Sequence, residues 1–392
     1  MQLSMQQSLE QLMENIDMAR SENNLNAVFT DTANAIRAKT DTTATICPRD
    51  FADKINAIQT GGGVMKAYFE AGGKCAYSNA KTFDGIINYS DTENVTSFSN
   101  MFYYSSRLSA IPNINFSKAR TTERCFSYCT SIKTANITAD PSDMSSMFSY
   151  CSNLTDLNLI NNNKIERVSC SYLANSANAL KTVNLNIPRC STLSNAFAYS
   201  GVVSANLGEF HKQTGESIQG MIDSYNVDYR FVFYQCPNLE EVTMDIGSIM
   251  EERNASIDLG QAFSTPGSAE SRTTPLTITF LNAHADVRRF FDYCFKSNDN
   301  IRVLPAVNCT RATGLDTAFS GCHNLIELKF YNILSNINIS DCTKMTREAL
   351  VEVLNNLHTL VDTRVCTLGK TNLAKLTDED KAIATNKGWT LA

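Results

Sequence analysis

No stretch of eighteen apolar residues occurs in the 392-residue chain, so no segment is expected to cross a membrane. Charge is scarce as well. Charged residues make up 19% of the chain, below the roughly 25% of an average protein. The net charge is −6 and no run of Lys or Arg stands out. A nucleic-acid partner, whose phosphates demand a basic face, is therefore not expected. Met1 to Arg20 lack a basic start followed by an apolar core, so no secretory leader is expected. Catalytic signatures are missing too: there is no Gly-rich phosphate loop, no nucleophile elbow and no HExxH. The four histidines (His211, His284, His323, His358) are scattered and no paired CxxC occurs, which leaves no pattern for a metal or any other cofactor. Adjacent carboxylates such as Glu240-Glu241 and Glu251-Glu252 point apart on a strand or helix and read as solvated surface. No enzyme is expected.

What the chain does have is one phrase that keeps returning. It reads Met147-Phe148-Ser149-Tyr150-Cys151-Ser152-Asn153-Leu154-Thr155-Asp156-Leu157-Asn158-Leu159, and again Ala318-Phe319-Ser320-Gly321-Cys322-His323-Asn324-Leu325-Ile326-Glu327-Leu328-Lys329-Phe330. With the phenylalanine as i, position i+3 is Cys or Ser, and i+6, i+9 and i+11 are apolar. Phe126 and Phe233 start copies in the same frame; Phe102, Leu173, Phe197 and Phe291 fit more loosely, and Phe263 opens a degenerate copy. Residues i and i+3 share a face of a helical turn, while i+9 and i+11 share a face of a strand. Each repeat thus reads as a short helix or turn feeding a short strand. Spacings of 24, 22, 25 and 24 residues separate Phe102, Phe126, Phe148, Leu173 and Phe197, the range of leucine-rich repeats. Longer gaps, from Phe197 to Phe233 and from Phe233 to Phe291, mark insertions around 205–229 and 246–280. Eight or nine strands at about 4.8 Å predict a parallel ladder on the order of 40 Å long.

The phrase resembles the BspA-like surface leucine-rich repeats, whose members open with Asn-Val-Thr, a spacer and Met-Phe. Asn94-Val95-Thr96 and Met101-Phe102 match that opening. The resemblance covers about residues 85–342 and implies an α/β solenoid with a parallel strand ladder. It implies little about function, since such repeats serve adhesins, secreted effectors and virion proteins alike. Thirteen cysteines are present, several at i+3 (Cys129, Cys151, Cys236, Cys294, Cys322), where Ser105, Ser176 and Ser200 substitute. A slot that accepts either residue wants a small side chain rather than a bridge, so buried free thiols and synthesis in a reducing compartment are expected.

The ends differ from the array. Residues 1–60 read as a helical module, 61–63 as a glycine linker, 64–342 as the solenoid and 343–392 as an α/β cap. Met5, Leu9, Leu12 and Ile16 form a short heptad stripe, readable either as a homo-oligomer, a trimer, or as a helix packed on its own domain. Leu25, Val28, Phe29, Ala33 and Ile36 predict a second helix, and Val64–Tyr68 and Gly85–Tyr89 strands. Thr32 to Thr40 and Pro48 to Ile55 resemble a helical module near the N-termini of phage tail and baseplate proteins, which implies attachment to other virion proteins. At the other end, helices are predicted over Arg347–Leu360 and Asp378–Asn386 and a strand over Arg364–Leu368. Thr377 is the expected N-cap, and Trp389 is expected to cover the last apolar layer. Leu373 to Glu379 and Lys387 to Trp389 resemble C-termini of repeat-bearing phage tail proteins.

Two surfaces are candidates for binding. A tyrosine series at i+2, Tyr104, Tyr128, Tyr150, Tyr199 and Tyr293, faces away from i and i+3. Aromatic faces suit sugar rings, although rings packed on one another produce the same pattern and are the favoured reading. Between the inward strand residues lie Thr134 and Asn136, Asp156 and Asn158, Thr182 and Asn184, then Glu241 and Thr243, Glu327 and Lys329. In leucine-rich repeats such side chains line the concave sheet, a ligand surface, or are simply solvated. Taken with both end resemblances, these features lead to the expectation of a phage tail, baseplate or fibre component. It would be made in the host cytoplasm, carried in the virion, and would present its repeats to a host-surface polysaccharide or protein. A bacterial surface adhesin, a secreted effector and a capsid decoration protein are the alternatives.

Overall fold

A computed structural model of the chain describes residues 30, 33–34, 92, 95–162, 167–209, 226–247, 256–265 and 274–392. Two compact units divide it: Met1–Gly73, Asp84–Val95 and Pro112–Asn115 form one, and Lys74–Phe83, Thr96–Ile111 and Phe116–Ala392 the other. In the first, Thr30, Ala33 and Asn34 are helical, and the Asn115 N–H donates to Thr92 Oγ1 at 2.7 Å. The heptad stripe, the rest of the predicted second helix, the glycine linker and the two lead-in strands lie outside the described residues.

The second unit is a parallel β-solenoid of about nine coils. One sheet runs in the order β1 (Thr134–Thr138), β2 (Asp156–Ile160), β4 (Thr182–Asn186), β6 (Ser204–Asn206), β8 (Glu241–Asp245), β10 (Thr277–Leu281). The strands between them in sequence form a second six-stranded sheet: β3 (Val168–Ser169), β5 (Cys190–Thr192), β7 (Asn226–Asp228), β9 (Ser256–Asp258), β11 (Arg288–Phe290) and β13 (Ala312–Thr313). Strands β12 (Val303–Asn308) and β14 (Glu327–Tyr331) pair in parallel beyond them. Along the first sheet the apolar slots of the phrase point inward. Ala135 and Ile137, Leu157 and Leu159, Val183 and Leu185, Val242 and Met244 are all buried, as are the i+6 residues Ile132, Leu154, Leu180, Leu239, Ile301 and Leu325.

The half of each repeat that precedes the strand is a bonded turn, not a helix. Its amides alternate in allegiance. Asn100, Phe102 and Tyr104 donate to the carbonyls of Glu123, Cys125 and Ser127 in the next coil, at 2.8–3.0 Å. Met101, Tyr103 and Ser105 donate three residues back within their own coil. That alternation places i−2 and i+2 in the left-handed region, with φ of 59° and 61° at Asn100 and Tyr104 and similar values at Arg124 and Tyr128, Ser146 and Tyr150, Asn195 and Tyr199. Each such non-glycine residue costs about 1–2 kcal/mol, offset by the inter-coil bonds it permits.

These left-handed pairs define the register, and two sequence assignments shift. Tyr172 and Ser176 flank Ala174, and Tyr293 and Ser297 flank Phe295, so the i positions are Ala174 and Phe295 rather than Leu173 and Phe291. Phe263 heads a coil of its own. The i rings stack from coil to coil: Phe102, Phe126 and Phe148 at 5.4 Å, then Phe197, Phe233, Phe263, Phe295 and Phe319 at 5.7–5.8 Å. Ala174 interrupts the column. Beside it the i−1 slot holds Leu173, a slot that varies from Ala196, Ala262 and Ala318 to Met101 and Met147.

The i+3 slot also changes meaning. Cys129, Cys151, Cys236 and Cys322 each aim a thiol at the carbonyl of the preceding coil's phenylalanine, at 2.9–3.1 Å. Asn298 does the same with Nδ2 at 2.8 Å. In these five coils the slot holds a donor. Cys294 and Ser176 are not in it; Asn298 and Ala177 are. Asn153 and Asn324, at i+5, donate to Thr130 and Asp299 carbonyls one coil back.

Late in the array β11 carries a fully buried Arg289 in a slot that β9 fills with Ile257. Its guanidinium donates to the carbonyls of Ile246, Ala285 and Asn308, and desolvation pushes its pKa down to about 10, still protonated at neutral pH. The chain closes with β15 (Ile337–Asn338), α1 (Arg347–Asn356), β16 (Arg364–Thr367), α2 (Gly369–Leu373), α3 (Asp378–Thr385) and β17 (Trp389–Leu391). Helix α1 is shorter than its apolar pattern predicts because Leu357 leaves it in an extended conformation to bridge Ile333. Thr377 caps α3 in a reciprocal box with Asp380. Asp380 also accepts both Arg347 Nε and Nη2, at 2.7 and 2.8 Å. Gly388 ends the helix at φ +86°, and buried Trp389 donates Nε1–H to the His358 carbonyl.

Two outcomes follow. Phe148→Ala should cost about 3–5 kcal/mol, the usual loss for a buried aromatic, whereas Cys151→Ser, which keeps a donor, should cost about 1 kcal/mol or less. Equal destabilisation in denaturant melts would contradict the donor slot. Arg347, and after it the Thr377 N–H, hold the Asp380 carboxyl below its ordinary range. A depressed folded pKa gives stability that is present above the unfolded value, about 3.9, and is lost as pH falls through the folded one. Asp380→Asn should lower the melting temperature at pH 7 and blunt its fall on acidification. An acid dependence identical in the two proteins would remove Asp380 from the cap.

Candidate functional site

The first sheet brings the polar strand residues into rows. Thr134, Asp156, Thr182, Ser204, Glu241 and Thr277 are successive partners across it, and so are Asn136, Asn158, Asn184, Asn206, Thr243 and Thr279. The first four rungs of the second row are all asparagine and all exposed. Strand spacing sets them about 4.8 Å apart. The amides of Asn136, Asn158 and Asn184 have no hydrogen-bond partner among the described residues, while Asn206 Oδ1 accepts the Gly208 N–H at 3.0 Å. Each free amide offers two donors and an acceptor. Thr134 and Asp156 stand exposed beside them and Thr182 half-buried; the only internal hydrogen bond to the Asp156 carboxylate among the described residues comes from Thr155, at 2.6 Å. Farther along, Glu327 and Lys329 satisfy each other at 3.2 Å.

Asn206 escaped the sequence reading because its coil is one residue shorter between turn and strand. The shortening is possible at Gly201, where a Cβ would lie 2.1 Å from the Asn178 carbonyl oxygen. With the frame shifted by one, the fixed offset from Phe197 lands on buried Ala205 and Leu207. The repeated Ser-Ala-Asn after Thr-Val-Asn is the signal that could have found it.

Tyrosines divide differently. Tyr104, Tyr128 and Tyr150 stack with centroids 4.2 and 4.4 Å apart and planes 7° from parallel. Tyr103 meets Tyr104 edge-on. Desolvation, then Tyr104, pushes the Tyr128 hydroxyl up to about 12. These rings spend their faces on one another, which is the packing reading. Ser176 occupies the next rung, so Tyr199 stands apart with Tyr234 edge-on. Tyr293 is not in the series: it sits at i−2 of its coil, with Lys296 over its ring at 5.0 Å.

Chemistry at the thiols is closed off. All eleven described cysteines are free and buried; Cys47 and Cys75 lie outside the described residues. Burial pushes Cys129, Cys309, Cys322 and Cys366 up to about 12 and Cys236 to about 11, far from the thiolate that nucleophilic or ligating work requires.

With this geometry in place, likeness to known proteins can be weighed. Residues 74–161 match the family model DUF285, described as a Mycoplasma protein of unknown function. It is a domain that BspA-like repeat proteins carry. The described part of the match takes in the coils of Phe102, Phe126 and Phe148, and so the tyrosine stack and the first two asparagine rungs. No curated protein and no solved structure matches the chain. Among the described residues no helix is long and apolar enough to cross a membrane.

A raised folded pKa gives stability that is present below the unfolded thiol value, about 8.5, and is lost as pH rises through the folded values. Burial should keep iodoacetamide at pH 8 from all eleven thiols in the native protein and expose them to it in denaturant, and the nine thiols that burial pushes up should make the melting temperature decline above pH 9. Rapid native alkylation of Cys151 or Cys322, mapped by mass spectrometry, would show that the column is open.

Proposed function

We propose that the chain is a virion structural protein of a phage tail, baseplate or fibre whose first sheet contacts a host-surface polysaccharide or protein. The observation that carries the contact role is the row Asn136, Asn158, Asn184: outward amides in register with no internal partner among the described residues. Amides that donate and accept suit neutral sugar hydroxyls, and a row nearly free of charge suits a neutral target better than an anionic one. Contacts of this kind are individually weak, and several copies per particle would raise the avidity. Attachment to other virion proteins falls to residues 1–60, on their resemblance to tail and baseplate modules. The C-terminal resemblance supports the same setting.

Two measurements test the two halves. Peptides of the chain should be found by mass spectrometry in purified virions; their absence there, with recovery from a bacterial envelope fraction instead, would favour the adhesin alternative. For the surface, Asn136→Ala, Asn158→Ala and Asn184→Ala together should leave the melting temperature intact and lower adsorption of virions to host cells several-fold. Unchanged adsorption would move the binding surface elsewhere.

A further inference from the structure

The second sheet carries a feature unlike the first. Near its C-terminal end a cleft of about 560 Å³ is lined by Arg288, Arg311, Arg364, Ser335, Asn336 and Asp316, among others. Register explains how the arginines gather. Arg289 of β11 pairs with Ala312 of β13, so Arg288 and Arg311, one residue before each, are neighbours on adjacent coils, and the Arg289 N–H donates to the Arg311 carbonyl. Strand β16 pairs with β15 through Ile337 and Cys366, which sets Arg364 level with Ser335. The Asn336 Oδ1 accepts the Val365 N–H at 2.9 Å and ties these two segments together.

Arg230, on the same side of the array, has carboxylates. Arg230 holds Asp228 through two bonds at 3.0 and 2.8 Å and lies 3.6 Å from Asp258. Among the described residues, Arg288, Arg311 and Arg364 have no ion-pair partner, although Asp316 also lines the cleft. Like charges on adjacent strands are destabilising, and here buried Arg289 adds a further positive charge next to Arg288 in the chain. Three guanidinia without an ion pair on one cleft are an arrangement that an anion completes.

We propose that this cleft binds an acidic polysaccharide, its carboxylates held by Arg288, Arg311 and Arg364. Guanidinium forks match carboxylates bidentately. The cleft is shallow and open, with more room than a lone inorganic oxyanion needs, which suits a chain lying across it. Cations alternate with hydroxyl and amide groups, as anionic groups alternate with hydroxyls along an acidic sugar chain. Only Ala312 and Leu334 among the lining residues are apolar and no aromatic is present, so the cleft has no aromatic anchor of the kind that holds a peptide. The site does not depend on the asparagine rows, which lie on the other sheet.

Calorimetric titration of the full chain with oligogalacturonate, dextran and polyglutamate of matched length tests this. Oligogalacturonate should bind with an affinity that falls as salt is added, and dextran should not bind at the cleft. R288Q/R311Q should weaken oligogalacturonate binding roughly tenfold or more, without lowering the melting temperature. R288K/R311K, which keeps charge and loses the fork, should fall between. The asparagine triple variant should bind oligogalacturonate as the parent does, which separates this site from the strand face. Absence of oligogalacturonate binding, undiminished binding by R288Q/R311Q, or polyglutamate binding as tightly as oligogalacturonate would overturn the proposal, the last in favour of an acidic protein.

Discussion

Everything in the array depends on the amides of the turn that reach into the next coil. A strand passes its hydrogen bonds sideways as a matter of course; a turn ordinarily satisfies itself. Here, up to the coil of Phe295, alternate turn amides are given to the neighbouring coil, so the ladder continues around the corner instead of stopping at the sheet edge. The consequences are geometric. Left-handed residues flank position i, on both sides in most coils and on one side at Phe263 and Phe319, the i side chain points inward, and consecutive i side chains sit one rung apart, at a distance where phenylalanine rings stack face to face. The i+3 donor then has one place to go, the second lone pair of the preceding coil's i carbonyl. That carbonyl already accepts the i+3 amide of its own coil. Insertions such as that between Phe197 and Phe233 are tolerated because the next coil need only present its carbonyls at the right rung.

This constraint also separates what the sequence discloses from what it hides. Phe and the apolar strand positions are legible because burial restricts them to a few residue types. The left-handed positions are not, since Tyr, Asn, Ser, Gln, Arg, Phe and Gly all occur there. They are selected by backbone bonding rather than by side-chain type, and a two-residue register marker built from seven residue types has no visible signature. Hence the coil of Ala174, which lacks the aromatic, was placed one residue early on Leu173. Phe295 lost to Phe291 because both are buried phenylalanines. The same opacity put Tyr293 in a series to which it does not belong. The second sheet was hidden for another reason: β3, β5, β7, β9, β11 and β13 are two or three residues long, too short to show alternation. Of the outward rows, Thr134, Asp156 and Thr182, with Asn136, Asn158 and Asn184, could be read from the phrase because their coils share one length. Asn206 could not.

The repeat constrains the inside and leaves the outside free, and the two sheets use that freedom in opposite ways. On the first, outward positions are mostly uncharged and short, and the row of amides varies little from coil to coil. On the second, Asp228, Arg230 and Asp258 neutralise one another while, a few coils on, Arg288 and Arg311 do not. Arg289 shows that the interior too can depart from the pattern, provided the charge is surrounded. Its carbonyl acceptors come from the segments after β8, before β11 and at the end of β12, three stretches that a hydrocarbon side chain in that slot would leave without a donor.

An array whose every coil templates the next would continue without limit unless its end were chemically different. The cap supplies that difference in steps. Leu357 is the last residue of α1's stretch to join the old ladder; helices then replace the bonded turn. Helical amides bond within the helix, so no inter-coil donors are left for a further coil. The carbonyls that α1 exposes at its C-terminus are taken by one side chain: Lys387 Nζ donates to Leu354, Asn355 and Leu357, a cation at the negative end of the helix. Lys375 does the same for the carbonyls of Thr343 and Met345 ahead of α1. Strand β17 pairs with β16 and is three residues long, with Trp389 buried at its start, and so short a strand offers little template for pairing with another chain.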